Sequence, residues 1–164
     1  MKHLLLALLL LVSVIAPALA TDISITAANV VPSASADIRS TTAGATITAG
    51  QLIYLDSADL DAKDRPKAKL SDANGASALR VADGIAVNNA SAGQTINYVV
   101  SDTALVIAAS GLTTNNILIL SATPGGVAPS ADLTTGWYLN VIGVVKSATT
   151  ISVRFPAIAS GAAL

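Results

Sequence analysis

The sequence predicts an all-β protein, a compact antiparallel barrel or sandwich of short strands, preceded by a hydrophobic N-terminal helical leader. Apolar residues make up 52% of the chain, yet aromatic residues account for only 3%. The apolar residues of the body occur in short runs rich in Val and Ile, separated by Gly, Pro, Asn and Ser, which is typical of strands joined by turns. Only the leader sustains an apolar pattern long enough for a helix. We expect about eight to ten strands.

The length and the amino-acid composition exclude several classes of functional site. The chain has 164 residues, the size of one domain. It has no cysteine, which excludes disulfides, thiolate metal sites and a cysteine nucleophile. The 10 acidic residues, all of them Asp, nearly balance the 9 basic ones. We therefore expect no long-range attraction of nucleic acid or of acidic substrates.

Residues 1–20 have the three-part pattern of a secretory signal peptide. Lys2 and His3 precede the apolar run Leu4–Val12, and a small-x-small motif ends at Ala20, after which we expect cleavage. The run is shorter than the roughly 20 apolar residues of a membrane span. A retained hydrophobic helix is the alternative. Because His3 is the only histidine, a chain that starts after the cleavage point has no imidazole for acid–base catalysis.

The remainder divides into three parts. Residues 21–44 are predicted to form an N-terminal strand and an extended arm: Thr21–Ala27 alternates polar and apolar residues as a half-buried strand does, and Ser33–Thr42 reads as an arm or loop. Such an arm either adds a strand to a neighbouring subunit or is a plain surface connection. Residues 45–156 are the predicted β-domain. Residues 157–164 are a small, weakly apolar tail that frays or docks on a neighbour.

An Ala-Gly-Gln turn that starts a short strand occurs twice, at 49–51 and at 92–94. Glycine adopts the positive φ that a tight turn requires. We predict that Gly50 and Gly93 are turns essential to the fold. We also predict that Tyr54 and Tyr98 are equivalent packing positions in one β-unit used twice. The alternative is that Ala-Gly-Gln is simply a favourable turn before any strand.

One segment carries most of the charge, with four acids and four bases: Asp56, Asp59, Asp61, Lys63, Asp64, Arg65, Lys67 and Lys69. The spacing across Asp56–Asp64 matches a calcium-binding loop only in part, and Lys63 would repel the cation. A solvated loop with local ion pairs is the alternative. A short helical turn at 56–64 or at 112–116 is left open.

The other predicted strands follow from short apolar or alternating runs between turn residues. The run 80–87 contains Gly84, and the sequence from Gly84 to Val100 predicts a hairpin. Asn74-Gly75 predicts a turn, and 121–133, with two prolines and two glycines, predicts a loop. The further strands are expected at 67–70, 104–108, 117–120, 137–145 and 150–155.

No catalytic, cofactor-binding or metal site can be assembled from the sequence, and we predict that the protein is not an enzyme. Serines are numerous but lack a histidine base. Gly84 and Gly125-Gly126 do not form a phosphate-binding pattern, because no helix follows them. Asp83 and Asp102 would form a carboxylate pair if the fold brought them together; the alternative is ordinary surface aspartates.

The four main aromatic side chains offer one candidate binding surface. Trp137 and Tyr138, joined by Tyr54 and Tyr98, would form a sugar-binding platform if they were exposed together. Packing in the core or at an interface is the alternative for so few aromatic residues.

Several short sequence segments, taken in order, resemble a family of small tailed-phage and prophage structural proteins, the capsid decoration or cement type. The resemblance spans residues 21–155. It depends on the order of these segments, here called phrases, since each one alone consists of turn residues followed by a strand. The phrases are ISITAANVV (23–31), TAGATITAGQ (42–51) with YLD (54–56), GIAVN (84–88) before GQ (93–94), PGGVAP (124–129) with ADL (131–133), and IGVVKS (142–147).

The resemblance implies a non-enzymatic β-rich subunit at the virion surface. Such a subunit binds the outside of an assembled capsid lattice and stabilises it, often as a trimer. The implied partners are copies of itself and the major capsid protein, with no nucleic acid, no small-molecule substrate and no cofactor. The resemblance brings no catalytic residues.

The leader departs from that family, whose members usually begin near the strand that starts here at Ile23. A second function is therefore a secreted subunit of an extracellular filament or surface layer, assembled by donating the Thr21–Val31 strand to a neighbour. A third class, a secreted sugar-binding or hydrolytic β-domain, requires a cleft that the sequence does not reveal.

Overall fold

The structure, a computed structural model, describes residues 22–155, so the predicted leader and the tail at 157–164 lie outside it. Within this range the strands pair antiparallel in one sheet, and the only helical elements are three short 3-10 turns. The prediction of an all-β antiparallel fold is confirmed. No helix between residues 22 and 155 is long and apolar enough to cross a membrane.

Between residues 22 and 155 nine strands form the sheet, within the eight to ten that the sequence predicts. They run in the order β3-β2-β4-β5-β9-β8-β6-β7, and β1 pairs with β5 outside this path. The strands are β1 (Asp37–Thr42), β2 (Leu52–Leu60), β3 (Pro66–Leu70), β4 (Gly84–Ala86), β5 (Thr95–Val106), β6 (Ile117–Leu120), β7 (Val127–Pro129), β8 (Val141–Val145) and β9 (Thr150–Arg154). The 3-10 turns are Ala27–Asn29, Ser77–Arg80 and Ser130–Asp132.

The sheet curls around two cores instead of forming a sandwich of two sheets. The long strand β5 serves both, because its first half pairs with β1 and β4 and its second half pairs with β9. After β1, Ala43 bridges Ala68 of β3, and Gly44 donates a backbone hydrogen bond to the same residue at 2.8 Å. Strands β1, β5, β4, β2 and β3 therefore close a ring around the smaller core.

The larger core lies under the second half of β5 and strands β9, β8, β6 and β7. Residues 22–31 cross its open side. Ile23 donates a backbone hydrogen bond to Val127 of β7 at 2.8 Å, and Val31 pairs with Val106 of β5. Ile23 and Val30 are each 7% exposed. The N-terminal segment is thus part of the larger core of its own chain.

The strand predicted at Thr21–Ala27 is wrong for residues 22–27, which join no ladder and end in the 3-10 turn Ala27–Asn29. Their alternation reflects side chains that enter the core, and burial produces this pattern whether or not the backbone pairs. The arm predicted at Ser33–Thr42 is wrong in its second half, which is β1. Residues 37–40 of β1 are exposed on both faces, so backbone pairing with β5 defines the strand without an apolar pattern.

Several other boundaries differ from prediction. The strand expected at 80–87 shortens to β4, and the strand expected at 137–145 starts at Val141. The runs at 95–100 and 104–108 merge into one strand that ends at Val106, while β7 lies inside the predicted loop 121–133. The short helical turns lie neither at 56–64 nor at 112–116.

Candidate functional site

The two Ala-Gly-Gln turns have the same local structure. Gly50 has φ +92° and Gly93 has φ +86°, values that favour glycine because a Cβ would crowd the backbone. In both turns the side-chain oxygen of the Gln accepts the backbone N–H three residues earlier, at 2.7 Å. Gly50 and Gly93 thus lie in turns of the same geometry. That both turns are essential to the fold stays a prediction.

The two turns belong to a repeat with a constant spacing of 43 positions, as from Gly50 to Gly93. At its centre Ile47 and Ala90, which occupy equivalent positions, exchange backbone hydrogen bonds of 2.8 and 2.9 Å. Each unit consists of a strand, a turn and a second strand: β1 and β2 in the first unit, β4 and β5 in the second. The units are therefore related by an approximate twofold axis through the Ile47–Ala90 pair.

Each unit supplies a strand to the other. Gly50 donates to the Ala86 carbonyl and Gly93 donates to the Ala43 carbonyl, both at 2.8 Å. Beyond these bonds β1 pairs with β5 and β4 pairs with β2, in matching register. The first strand of each unit is thus hydrogen-bonded to the second strand of the other unit.

The tyrosines are not the equivalent positions. Tyr54 is four residues after Gly50, whereas Tyr98 is five residues after Gly93. The residues at equal spacing are Ile53 and Ile96, which are both fully buried in the smaller core. The prediction for Tyr54 and Tyr98 is wrong because side chains alternate along a strand, so one position of difference reverses the face.

The outer face of β6 and β8 carries three exposed apolar side chains, here called the apolar triad: Ile117, Val141 and Val144, which are 44%, 50% and 37% exposed. Ile117 lies opposite Val144. A bulge at Ile142 turns Val141 and Val144 to the same face, whereas Ile142 itself is buried. A shallow groove of about 300 Å³ adjoins the triad between β8 and β9. Arg154 is the one charged residue that lines this groove.

The charged segment forms ion pairs along β2 and β3. The ammonium of Lys69 lies 2.9 Å from carboxylate oxygens of both Asp56 and Asp59, and that of Lys67 lies 2.8 Å from Asp59. The hydrogen bond from Lys69 lowers the pKa of Asp56, and the bond from Lys67 lowers the pKa of Asp59. Two of the carboxylates considered for calcium, those of Asp56 and Asp59, are thus bonded to lysines. Within residues 22–155 no three His, Cys, Asp or Glu side chains cluster as a metal site would require.

Asp61 organises the turn between β2 and β3. It accepts hydrogen bonds from the backbone N–H groups of Lys63 and Arg65, at 2.8 and 3.0 Å, from the Arg65 guanidinium at 2.8 Å and from the Thr42 hydroxyl at 3.0 Å. The backbone N–H and the guanidinium of Arg65 hold the pKa of Asp61 well below its usual range. This part of the charged segment is an ordered turn.

Asp83 and Asp102 bond to different elements and form no carboxylate pair. Asp83 accepts the backbone N–H of Leu55 at 2.7 Å, and burial raises its pKa. Asp102 accepts the backbone N–H of Ser33 at 2.8 Å and the Ser33 hydroxyl. Burial raises the pKa of Asp102, but the hydrogen bonds from Ser33 and Ala104 outweigh it and the net pKa is lowered. Both aspartates accept hydrogen bonds from backbone N–H groups of other parts of the chain.

The aromatic side chains do not form a sugar-binding platform. Trp137, Tyr54 and Tyr98 are 8%, 7% and 5% exposed. The guanidinium of Arg80 covers the ring of Tyr138 at 3.6 Å from the ring centre, a cation–π contact. The alternative reading, in which these aromatic residues pack within the fold, agrees with the structure.

The sequence matches no family model and no curated protein. Among solved structures, the chain is similar to the head fiber gp8.5 N base of bacteriophage phi29. The two share 15% sequence identity with a TM-score of 0.45, over 72% of this chain and 93% of that chain. A likeness of this degree assigns neither fold nor function.

Proposed function

We propose that the chain is a non-enzymatic structural subunit that binds and stabilises a viral capsid lattice as a decoration or cement protein. The observation that carries the proposal is the apolar triad. Its three side chains lie together on the outer face of β6 and β8, and the adjoining groove has a single charged residue. Contiguous exposed apolar surface marks protein interaction sites. We assign the triad to contact with the major capsid protein.

Two further observations support a role in assembly. The ordered phrases at residues 23–147 resemble capsid decoration proteins. The carboxylates that the sequence offers for chemistry are engaged elsewhere: Asp83 and Asp102 hold backbone groups, and Asp56 and Asp59 are paired with lysines. A subunit that acts by contact area needs no reactive group.

The test is to find which particle contains the chain. Particles from the producing culture would be separated on a density gradient, and each fraction searched by mass spectrometry for the tryptic peptide of residues 147–154. We expect this peptide to band with the major capsid protein. Its recovery only in filament fractions without capsid protein would overturn the proposal.

A variant pair tests the role of the triad. Val144→Asp places a charge at the centre of the apolar surface, and Ala148→Asp places one on the exposed β8–β9 turn. With capsids that lack the chain, we expect V144D to bind at least about tenfold more weakly than wild type, since burying an unpaired carboxylate costs more than 1.4 kcal/mol. We expect A148D to bind as wild type does. Equal binding by both variants would remove the triad from the interface.

The alternative function is a secreted filament or surface-layer subunit assembled by strand donation. The observation relevant to it is the position of residues 22–31, which occupy the larger core of their own chain through Ile23 and Val30. Donation would therefore take the form of an exchange, in which this segment leaves its own core for that of a neighbour. Electron microscopy of the purified chain tests it, since self-assembled filaments would favour this function over the capsid.

A further inference from the structure

The two equivalent turns differ in what covers them. In the first turn Ala49 is 5% exposed, and Gly50 is buried. A Cβ added to Gly50 would lie 2.5 Å from a methyl carbon of Ile25 and 3.4 Å from one of Val30. The methyl groups of the N-terminal segment therefore fill the space over the first turn.

The second turn has the same backbone and no cover. Residues 91–95 are exposed throughout, and a Cβ added to Gly93 would meet no atom within 4 Å. The residue after each turn shows the same contrast: Leu52 is fully buried, whereas its equivalent Thr95 is exposed. One of two matching surfaces is thus filled by the chain itself, and the other is open.

A groove leads away from the open turn. It has a volume of about 390 Å³ and extends from Gly93 and Thr95 to the β2–β3 turn. Its lining combines the apolar Leu60 and Ala62 with four charged residues, Asp61, Lys63, Arg65 and Lys67. Leu60 is 45% exposed. Asp61 holds the far wall through its bonds to Arg65 and Thr42. An extended segment laid over Gly93 would continue into this groove and cover Leu60.

We propose that the second Ala-Gly-Gln turn, with the groove beside it, binds an extended segment of a partner protein. The segment has the chemistry of residues 22–31: β-branched apolar side chains alternating with small polar ones, and little charge. The argument is that the two turns match in backbone and that a segment of this kind already lies over the first. This surface lies in the repeat and does not include the apolar triad, so the inference stands independently of the proposed function.

The nature of the segment follows from the first turn. Ile25 reaches the glycine with a γ-methyl group, which only a β-branched side chain places so near its own backbone. Backbone hydrogen bonds join the covering segment to the strands near its two ends, from Ile23 to Val127 and between Val31 and Val106, so the segment needs no full ladder. Side-chain fit over an exposed glycine therefore accounts for most of the recognition at the turn, and long side chains would fit poorly there.

A synthetic peptide of residues 22–31 is the probe. It would be titrated into the isotopically labelled full chain, and the backbone amides followed by NMR. We expect saturable shifts at residues 91–95 and at the β2–β3 turn. A peptide with Ser in place of Ile25 should bind at least about tenfold more weakly, because it lacks the apolar contact. Absence of shifts at millimolar peptide, or shifts confined to residues 48–51, would overturn the inference.

A matched pair of variants completes the test. Ala92→Arg introduces a large side chain into the open turn, where it is exposed and does not disturb the core; Ala148→Arg does the same on the distant β8–β9 turn. We expect A92R to abolish the shifts at residues 93–95 and A148R to leave them unchanged. Unaltered affinity in A92R would place the binding elsewhere and refute the assignment.

Discussion

Asp83 accepts one hydrogen bond, from the backbone N–H of Leu55, and lies half-buried just before β4. Burial raises its pKa, which means that folding favours the protonated form. The stability that protonated Asp83 contributes is present below its pKa in the unfolded chain, which is about 3.9. This contribution is lost as the pH rises through the raised pKa of Asp83 in the folded chain. At neutral pH the ionised side chain therefore lowers the stability of the fold.

We predict that Asp83→Asn raises the free energy of unfolding at pH 7 relative to wild type. The amide keeps an oxygen for the Leu55 N–H and carries no charge to desolvate. The difference should shrink as the pH falls below about 4, which denaturant titrations at both pH values would measure. Asp64→Asn, at an exposed position, is the control. A loss of stability in D83N at pH 7 would show that the ionised carboxylate is needed.

The role of a single residue can be predicted from sequence where one residue type is strongly favoured for one local structure. Gly50 and Gly93 are recognisable because few residues other than glycine fit such turns. Asp83 and Asp102 are not, because an aspartate that bonds to a distant backbone N–H, such as that of Leu55 or Ser33, has no local pattern. Their partners become known only when the strands are paired.

The paired turns allow a comparison at the scale of an element. Both glycines have positive φ, so alanine at either costs roughly 1–2 kcal/mol of backbone strain. At Gly50 the added methyl would also collide with Ile25, whereas at Gly93 it would point into open space. Comparing the two substitutions thus separates the free-energy cost of backbone conformation from the free-energy cost of side-chain packing.

We predict that Gly50→Ala lowers the free energy of unfolding more than Gly93→Ala does. G93A should show the strain alone, and G50A should add displacement of the N-terminal segment from the larger core. Denaturant titration gives the two values, and hydrogen exchange at Ile23 reports the displacement. Equal losses in the two variants would mean that Ile25 moves aside without cost.

Strand positions were predictable where burial alternates or is continuous, as in β6, β9 and the start of β2. They were not predictable where pairing alone makes the strand. β1 has residues exposed on both faces, and β7 has three residues inside a region rich in proline and glycine. The apolar triad was also missed, because the bulge at Ile142 turns Val141 outward against the alternation that the sequence suggests.

At the scale of the whole molecule, the two cores share β5, and the two repeat units exchange strands. Each unit loses strand pairing if the other unfolds, since β1 pairs with β5 and β4 pairs with β2; the pairing of β4 with β5 is the one that lies within a unit. The all-β class was readable from composition and turn spacing. The exchange of strands was not, because a repeat in sequence does not say whether its units pair within themselves or with each other.

We predict that the smaller and larger cores unfold in one transition. The fluorescence of Trp137 reports on the larger core, and hydrogen exchange at Ile96 and Tyr98 reports on the smaller one. Both should yield the same free energy of unfolding, as expected for a cooperative single domain. A lower value for exchange at Ile96 would reveal that the ring of β1 to β5 opens separately.

The pairing of β1 with β5 also affects folding during translation. Strand β1 leaves the ribosome before β2, β3 and β4, and its partner at residues 95–101 follows only after all of them. The nascent protein therefore carries an unmatched β1 through most of translation of the repeat. Late pairings between distant segments are slow and prone to aggregation. The charged Asp37 and Arg39 and the polar Ser40, Thr41 and Thr42 keep the unpaired segment hydrophilic until β5 has been synthesised.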